Sequence, residues 1–144
     1  VYRYIHKSYL QDHVNLDRYK IFVAKSNGSG IFGEPLSQLE IGTPGTGHTQ
    51  TFISFGEFNS ESEANNLSTY VRTKFLRALL GVERATHDNA TKDIWKYIPL
   101  QDFTENSDID WSKSIPDIDQ QLYAKYGLSE DEIQFIEEKV QPME

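Results

Sequence analysis

Apolar and polar positions alternate through DRYKIFVAKS (17–26), a run rich in aromatic and β-branched residues, and the period of two predicts a strand over 18–25. TFISFGEF (51–58) alternates in the same way and predicts a second strand, paired with the first. Between them, SNGSGIFGEPLSQLEIGTPGTGHT (26–49) is broken repeatedly by Gly and Pro, which predicts a long loop or two short hairpins. The pattern then changes period. Ser60 followed by Glu63 has the spacing of a capping box, and Ala64, Leu67, Val71, Phe75, Ala78 and Leu79 recur at steps of three and four. That periodicity predicts one long helix over 60–80, stopped at Gly81, with Leu76 and Leu80 widening its apolar arc toward the C-terminal end. DIWKYIPL (93–100) reads as a third strand ending at Pro99.

The last forty residues differ in kind. Pro116 suits a first helical turn, Ile118, Leu122 and Tyr126 form one stripe, and Gly127 suits a helix stop. Ser129 opens a further helix with Glu132 completing its capping box, Leu128 placed to staple against Ile133, and Pro142 just beyond the end. The polar stretch ENSDIDWSKS (105–114) is a linker whose lone Trp111 is expected to dock on the main core. These elements predict an α+β fold: a small, mostly antiparallel sheet covered by one long helix, with a C-terminal two-helix tail. Residues 1–104 are expected to form the α+β domain, and 105–144 an acidic linker and helical tail packed on it as one compact unit.

Composition narrows the chemistry. At 144 residues the chain can bury one core, and two independent domains would be cramped. Cysteine is absent and His is confined to positions 6, 13, 48 and 87, so neither a disulfide framework nor a thiolate zinc site can be built, and no metal site is expected. The lack of cysteine points to a reducing compartment, the cytoplasm, and no apolar run approaches the roughly 20 residues that span a bilayer. The chain opens at Val1, without an initiator Met, inside what reads as structured sequence, so a piece of a longer protein is expected. Net charge is −8, unevenly spread: residues 1–70 carry 5 basic and 7 acidic side chains, 71–96 carry 6 and 3, and 101–144 carry 3 and 12. An acidic tail can coexist with a locally positive central surface.

Three motifs imitate catalytic or nucleotide-binding signatures and fail on context. GSGIFG (28–33) spells a dinucleotide fingerprint, but Glu34-Pro35 follows where a helix must start to hold the pyrophosphate. GTPGTGHT (42–49) has His48 in place of the phosphate-reaching Lys, and an alternating strand where a helix is required. Pro116-Asp117 with Glu137-Glu138-Lys139 matches a metal-dependent nuclease pattern, yet both segments read as helices, on which Glu137 and Lys139 diverge. The fragment is therefore not expected to be catalytic.

A fourth cluster is compatible with function. Lys74 and Arg77 lie one turn apart on the long helix, away from Leu67 and Phe75, and Arg84, Thr86, His87, Asn89, Thr91, Lys92 and Lys96 follow. Such residues can contact duplex DNA: Lys74, Arg77, Arg84 and Lys92 through phosphates, and Asn27, His87 and Asn89 through base edges, with Thr86 serving either. An ordinary surface whose bases pair with the acidic tail accounts for the same residues equally well.

The run FNSESEANNLSTYVRTKFLRALLGVERATHDNATKDIWKYIPLQDF (58–103) resembles the C-terminal region of adenine-specific DNA methyltransferases of type II restriction-modification systems. The similar elements are EAxN from Glu63 to Asn66, YxxTKFxRxLL from Tyr70 to Leu80, WKYIPLQDF from Trp95 to Phe103, and LYxKYGLSxxEIxFIE from Leu122 to Glu137. The resemblance implies an upstream methyltransferase part, in some members joined to a nuclease, with target recognition near the C-terminus. The family's (N/D)PPY sequence, which holds a flipped adenine, occurs nowhere here, nor does an S-adenosylmethionine loop, so no catalytic residue carries over. S-adenosylmethionine and magnesium would belong to the rest of the parent protein, and no cofactor is expected in this piece. Two functions follow as expectations. In one the piece binds double-stranded DNA within a restriction endonuclease or methyltransferase. In the other it is a structural module that docks on the methyltransferase or nuclease part and leaves the DNA to it.

Overall fold

The computed structural model describes residues 2–11, 13–25, 31–36, 39–86 and 94–143, the side chains of 84–86 excepted. Strand β1 (Tyr19–Ala24) lies between β2 (Leu39–Gly42) and β3 (Phe52–Phe58), and both pairings are antiparallel. Ile21 pairs with Ile41 on one side and Phe55 on the other, so one face of the sheet is apolar. That face meets helix α1 (Glu61–Arg72), which contacts all three strands. Two strands fall where their alternation places them. The third is β2, inside the Gly-rich stretch, rather than residues 93–100.

β1 is buried on its second face too. Lys20 points there with almost no exposure, and its ammonium donates to the carbonyls of Leu16 and Thr43, both at 2.9 Å, which offsets the cost of burying a charge. Burial still pulls its pKa down. Phe22 packs edge-on against His48 beside it, with ring centroids 5.3 Å apart. Gly42–Thr49 is thus a turn entering β3, and His48 is an aromatic neighbour of the sheet.

The segment expected to be one long helix is two. α1 begins with the Ser60–Glu63 capping box and ends at Thr73, whose ψ of 148° leaves the helical range. Helix α2 (Lys74–Thr86) starts immediately after, with Thr73 Oγ1 accepting from the Leu76 amide at 3.2 Å. Gly81 does not stop it. A Cβ there would lie 2.5 Å from the Phe32 ring, so Gly81 is where that ring closes onto the helix.

Ile94–Tyr97 forms a turn of 3-10 helix, not a strand, and Asp93 lies outside the described residues. The apolar positions 94, 95, 97 and 98 follow a one-sided helical spacing, which puts Ile94 into the core and Trp95 against Phe55, centroids 4.5 Å apart. α3 (Ile115–Tyr126) is capped by Ser114 and ends at Gly127, whose φ of 63° is the left-handed stop that glycine adopts without strain. α4 (Glu130–Lys139) carries the Ser129–Glu132 capping box. Trp111 docks: its indole N–H donates to the Asp102 carbonyl at 2.9 Å and its ring meets Phe103 and Tyr70. Ile118 and Leu122 are fully buried in the same core as Ile21 and Val23, each stabilising the fold by about 1.5–3 kcal/mol.

Candidate functional site

The break at Thr73 creates two helix ends inside the protein, and every helix end leaves backbone groups without intrahelical partners. Asp119, from α3, meets the new N-terminus: its two carboxylate oxygens accept from the Lys74 amide at 3.0 Å and the Phe75 amide at 2.8 Å. Arg77, one turn into α2, turns back to the C-terminal ends. Its guanidinium donates to the carbonyls of Arg72 at 3.3 Å, Gly33 at 3.2 Å and Gln141 at 2.6 Å, so it joins the end of α1, the loop before β2 and the segment after α4. A cation at helix C-termini and an anion at an N-terminus both complement the helix dipole.

Lys74 completes this junction. Its ammonium sits 2.5 Å from a carboxylate oxygen of Glu137 and 3.1 Å from the Glu137 carbonyl. The other Glu137 oxygen accepts from the Tyr123 hydroxyl at 3.0 Å. Burial sets the electrostatics. Desolvation raises the Asp119 carboxyl to about 6, against the pull of the Phe75 and Lys74 amides, with the Glu137 charge adding to the rise and Arg77 opposing it. Burial lowers Arg77 and raises the Tyr123 hydroxyl, the latter helped by the Asp119 and Glu137 charges. Two cations and two carboxylates neutralise one another within the fold.

Of the residues grouped as a DNA-facing ridge, Lys74 and Arg77 have side chains that the structure places. Arg77 is 2% exposed, because the tail covers the side of α2 that the helical spacing leaves to solvent, and Lys74 is held by Glu137 of that tail. Arg84 and Thr86 belong to the last turn of α2, but their side chains lie outside the described residues, as do Asn27, His87, Asn89, Thr91 and Lys92 entirely. Lys96 is described and lies over the Tyr97 ring, 5.0 Å from its centroid.

Gly33 was not singled out for the job it does. With φ of 72°, it accepts from both Arg77 and the Gln141 amide, and a Cβ would come within 2.7 Å of the Val140 backbone. Gly33→Ala is expected to lower stability by about 2 kcal/mol, read from the midpoint of urea unfolding, with the loop and the end of α4 forced apart. Asp119 and Glu137 were also missed as junction residues. Their signal is faint: two acids, one per tail helix, within reach of two bases one turn apart.

Beside this junction an apolar groove of about 440 Å³ opens between α2 and α4. Phe32, Leu79, Val82, Leu128, Phe135 and Ile136 line it, with Asp131 and Glu132 as the polar residues of its lining. Phe32 and Phe135 form one wall, with centroids 5.5 Å apart. The nuclease-like residues do not converge: Asp117 accepts from the Ser114 hydroxyl at the start of α3, whereas Glu137 serves Lys74 and Tyr123 near the end of α4. Among the described residues no three His, Asp or Glu side chains are grouped to hold a metal ion, and no helix is long and apolar enough to cross a membrane. Comparison with known protein families, curated proteins and solved structures gives no match to this chain.

Proposed function

We propose that the chain is a structural docking module that packs against the methyltransferase or nuclease part of a restriction-modification enzyme and leaves DNA contact to that part. The context comes from the sequence resemblance, and the geometry favours docking over DNA binding. The carrying observation is that Arg77 and Lys74, the central cations of the positive segment, are spent on the tail's own carbonyls and carboxylate. Affinity for duplex DNA rests on cations free to displace counterions from phosphates, and this chain has a surplus of eight negative charges. Other cations are similarly engaged: Lys125 meets Asp108 at 2.8 Å, and Lys20 is buried.

A fluorescence titration of labelled duplex with the 144-residue chain, at low and at physiological salt, tests this directly. The expected result is no salt-dependent binding by the chain alone, together with comigration of the chain and the separately produced catalytic part of the enzyme on size exclusion. Affinity falling steeply with salt, by about tenfold or more between the two conditions, would overturn docking and return DNA contact to cations other than Lys74 and Arg77.

A further inference from the structure

Two surfaces of this chain are apolar and exposed, one bearing two carboxylates and the other the cation of Arg3. The first is the groove between α2 and α4, where Phe135 and Val82 are each 50% exposed and Asp131 and Glu132 belong to the lining. The Glu132 carboxyl, held low by the Ser129 amide and hydroxyl, is negative over the whole physiological range. The second is the stretch from Tyr2 to Tyr9. Tyr4 is fully exposed at 101%, Tyr9 at 79% and Ile5 at 61%, and Arg3 lies among them on the surface, whereas Lys7 is paired with Asp17 at 2.7 Å. Runs of exposed large apolar side chains mark interaction surfaces more often than isolated ones do.

We propose that the groove receives the Tyr2–Tyr9 segment of a second copy of this chain. Tyr4 and Ile5 enter between α2 and α4, and the Phe32–Phe135 wall offers tilted or edge contacts that aromatic rings favour. Arg3 lies against Asp131 and Glu132. The volume of about 440 Å³ falls in the range of concave ligand-binding sites, roughly 300–1,000 Å³. The segment is held at both ends, by the Tyr2 hydroxyl on Glu40 of the edge strand and by Lys7 on Asp17 at 2.7 Å, with Tyr4 and Ile5 exposed between them. Because each copy carries one segment and one groove, mutual exchange closes a two-fold dimer and satisfies both surfaces at once. The dimer does not depend on the catalytic part of the preceding section; it concerns this chain alone.

The absence of cysteine makes the test clean. Two single-cysteine proteins, Ile5→Cys and Val82→Cys, are mixed under mild oxidation and the products are separated by mass. The heterodisulfide between the two is expected to exceed either homodisulfide several-fold, and light scattering of the unmodified chain is expected to show a concentration-dependent dimer. Tyr4→Ser and Phe135→Ser, both at exposed positions, should weaken dimerisation about tenfold or more while the thermal unfolding curve stays cooperative. Raising salt should weaken it further through the Arg3 contacts. A monomer at concentrations up to about 200 µM, a weak interaction by any standard, overturns the proposal. So does a mixture in which the heterodisulfide fails to exceed the homodisulfides, or a dimer indifferent to both Ser variants. Comigration with the catalytic part in the preceding experiment is read separately, so docking can hold while the dimer fails, and the reverse.

Discussion

Arg77→Met is expected to destabilise the protein by about 3–5 kcal/mol with no change in affinity for duplex DNA. The substitution keeps much of the side chain's bulk but removes every donor. The carbonyls of Gln141 and Arg72 then lose the partner that the guanidinium supplies, whereas the Gly33 carbonyl keeps the Gln141 amide at 3.1 Å. Asp119 loses its opposing buried charge at the same time. Removing one member of a buried charged pair costs more than the pair contributes, because the survivor stays desolvated and uncompensated. Arg77→Lys should fall between the two, since an ammonium keeps the charge but cannot span three carbonyls set at different angles. Lys74→Ala serves as the contrast: its ion pair with Glu137 is partly open to solvent, so the expected loss is under about 1 kcal/mol. Urea unfolding of the four proteins gives the comparison. If Arg77→Met is as mild as Lys74→Ala, the guanidinium does not hold the tail; if it instead weakens duplex binding, it acts at a phosphate.

Why Arg77 was assigned to a surface is instructive about what a helical pattern carries. Periodicity ranks positions around one helix axis and says nothing of how many neighbours that helix will have. α2 has two: the core on the side of Phe75 and Leu76, and the tail on the other, with Gly33 beyond. The widening of the apolar arc at Leu76 and Leu80 was the available sign that this half is enclosed. The break at Thr73 was less legible, because Leu67, Val71, Phe75 and Leu79 keep helical spacing across it; a lone Thr before Lys-Phe-Leu is an N-cap only when something such as Asp119 completes the terminus.

Elements fixed by local chemistry were legible. Ser60 with Glu63 and Ser129 with Glu132 satisfy their own backbone amides, and Gly127 needs only its own conformation, so their positions follow from nearest neighbours in the chain. β1 and β3 were legible because each is a run of six or seven residues rich in aromatic and β-branched side chains. β2 was not: four residues ending in Gly have too little alternation to stand out, and the strand exists because β1 offers it a partner edge. Residues 94–97 were misread because Pro99 and aromatic content favoured a strand, while the pairing of 94 and 95 with 97 and 98 favoured a turn of helix.

Asp119 gives the second large effect, and its sign is opposite to that of most carboxylates. In the folded chain its carboxyl titrates at about 6, against roughly 3.9 in an unfolded chain. Between those values the native state holds the extra proton, so this group's contribution is full below about pH 4, declines as pH rises through about 6, and is flat above. The span corresponds to about 2–3 kcal/mol. The amide-bound Asp102, Asp110 and Glu132 behave the other way: their carboxyls sit below the usual range, so their contributions are present at neutral pH and fade in acid. Stability should therefore rise on acidification from neutrality toward about pH 5 before it falls. Asp119→Asn removes the titration while retaining one acceptor for the α2 N-terminus, so the difference between wild type and Asn should carry the whole slope between about pH 4 and 6. Asp119→Ala also exposes the Lys74 and Phe75 amides to an unfilled buried space beside Arg77, and is expected to cost about 3–5 kcal/mol at neutral pH. Chemical denaturation of the three proteins across that range decides it. Parallel curves for wild type and Asn would mean that Asp119 ionises as an ordinary surface carboxylate, and that the α2 terminus does not depend on a buried charge from the tail.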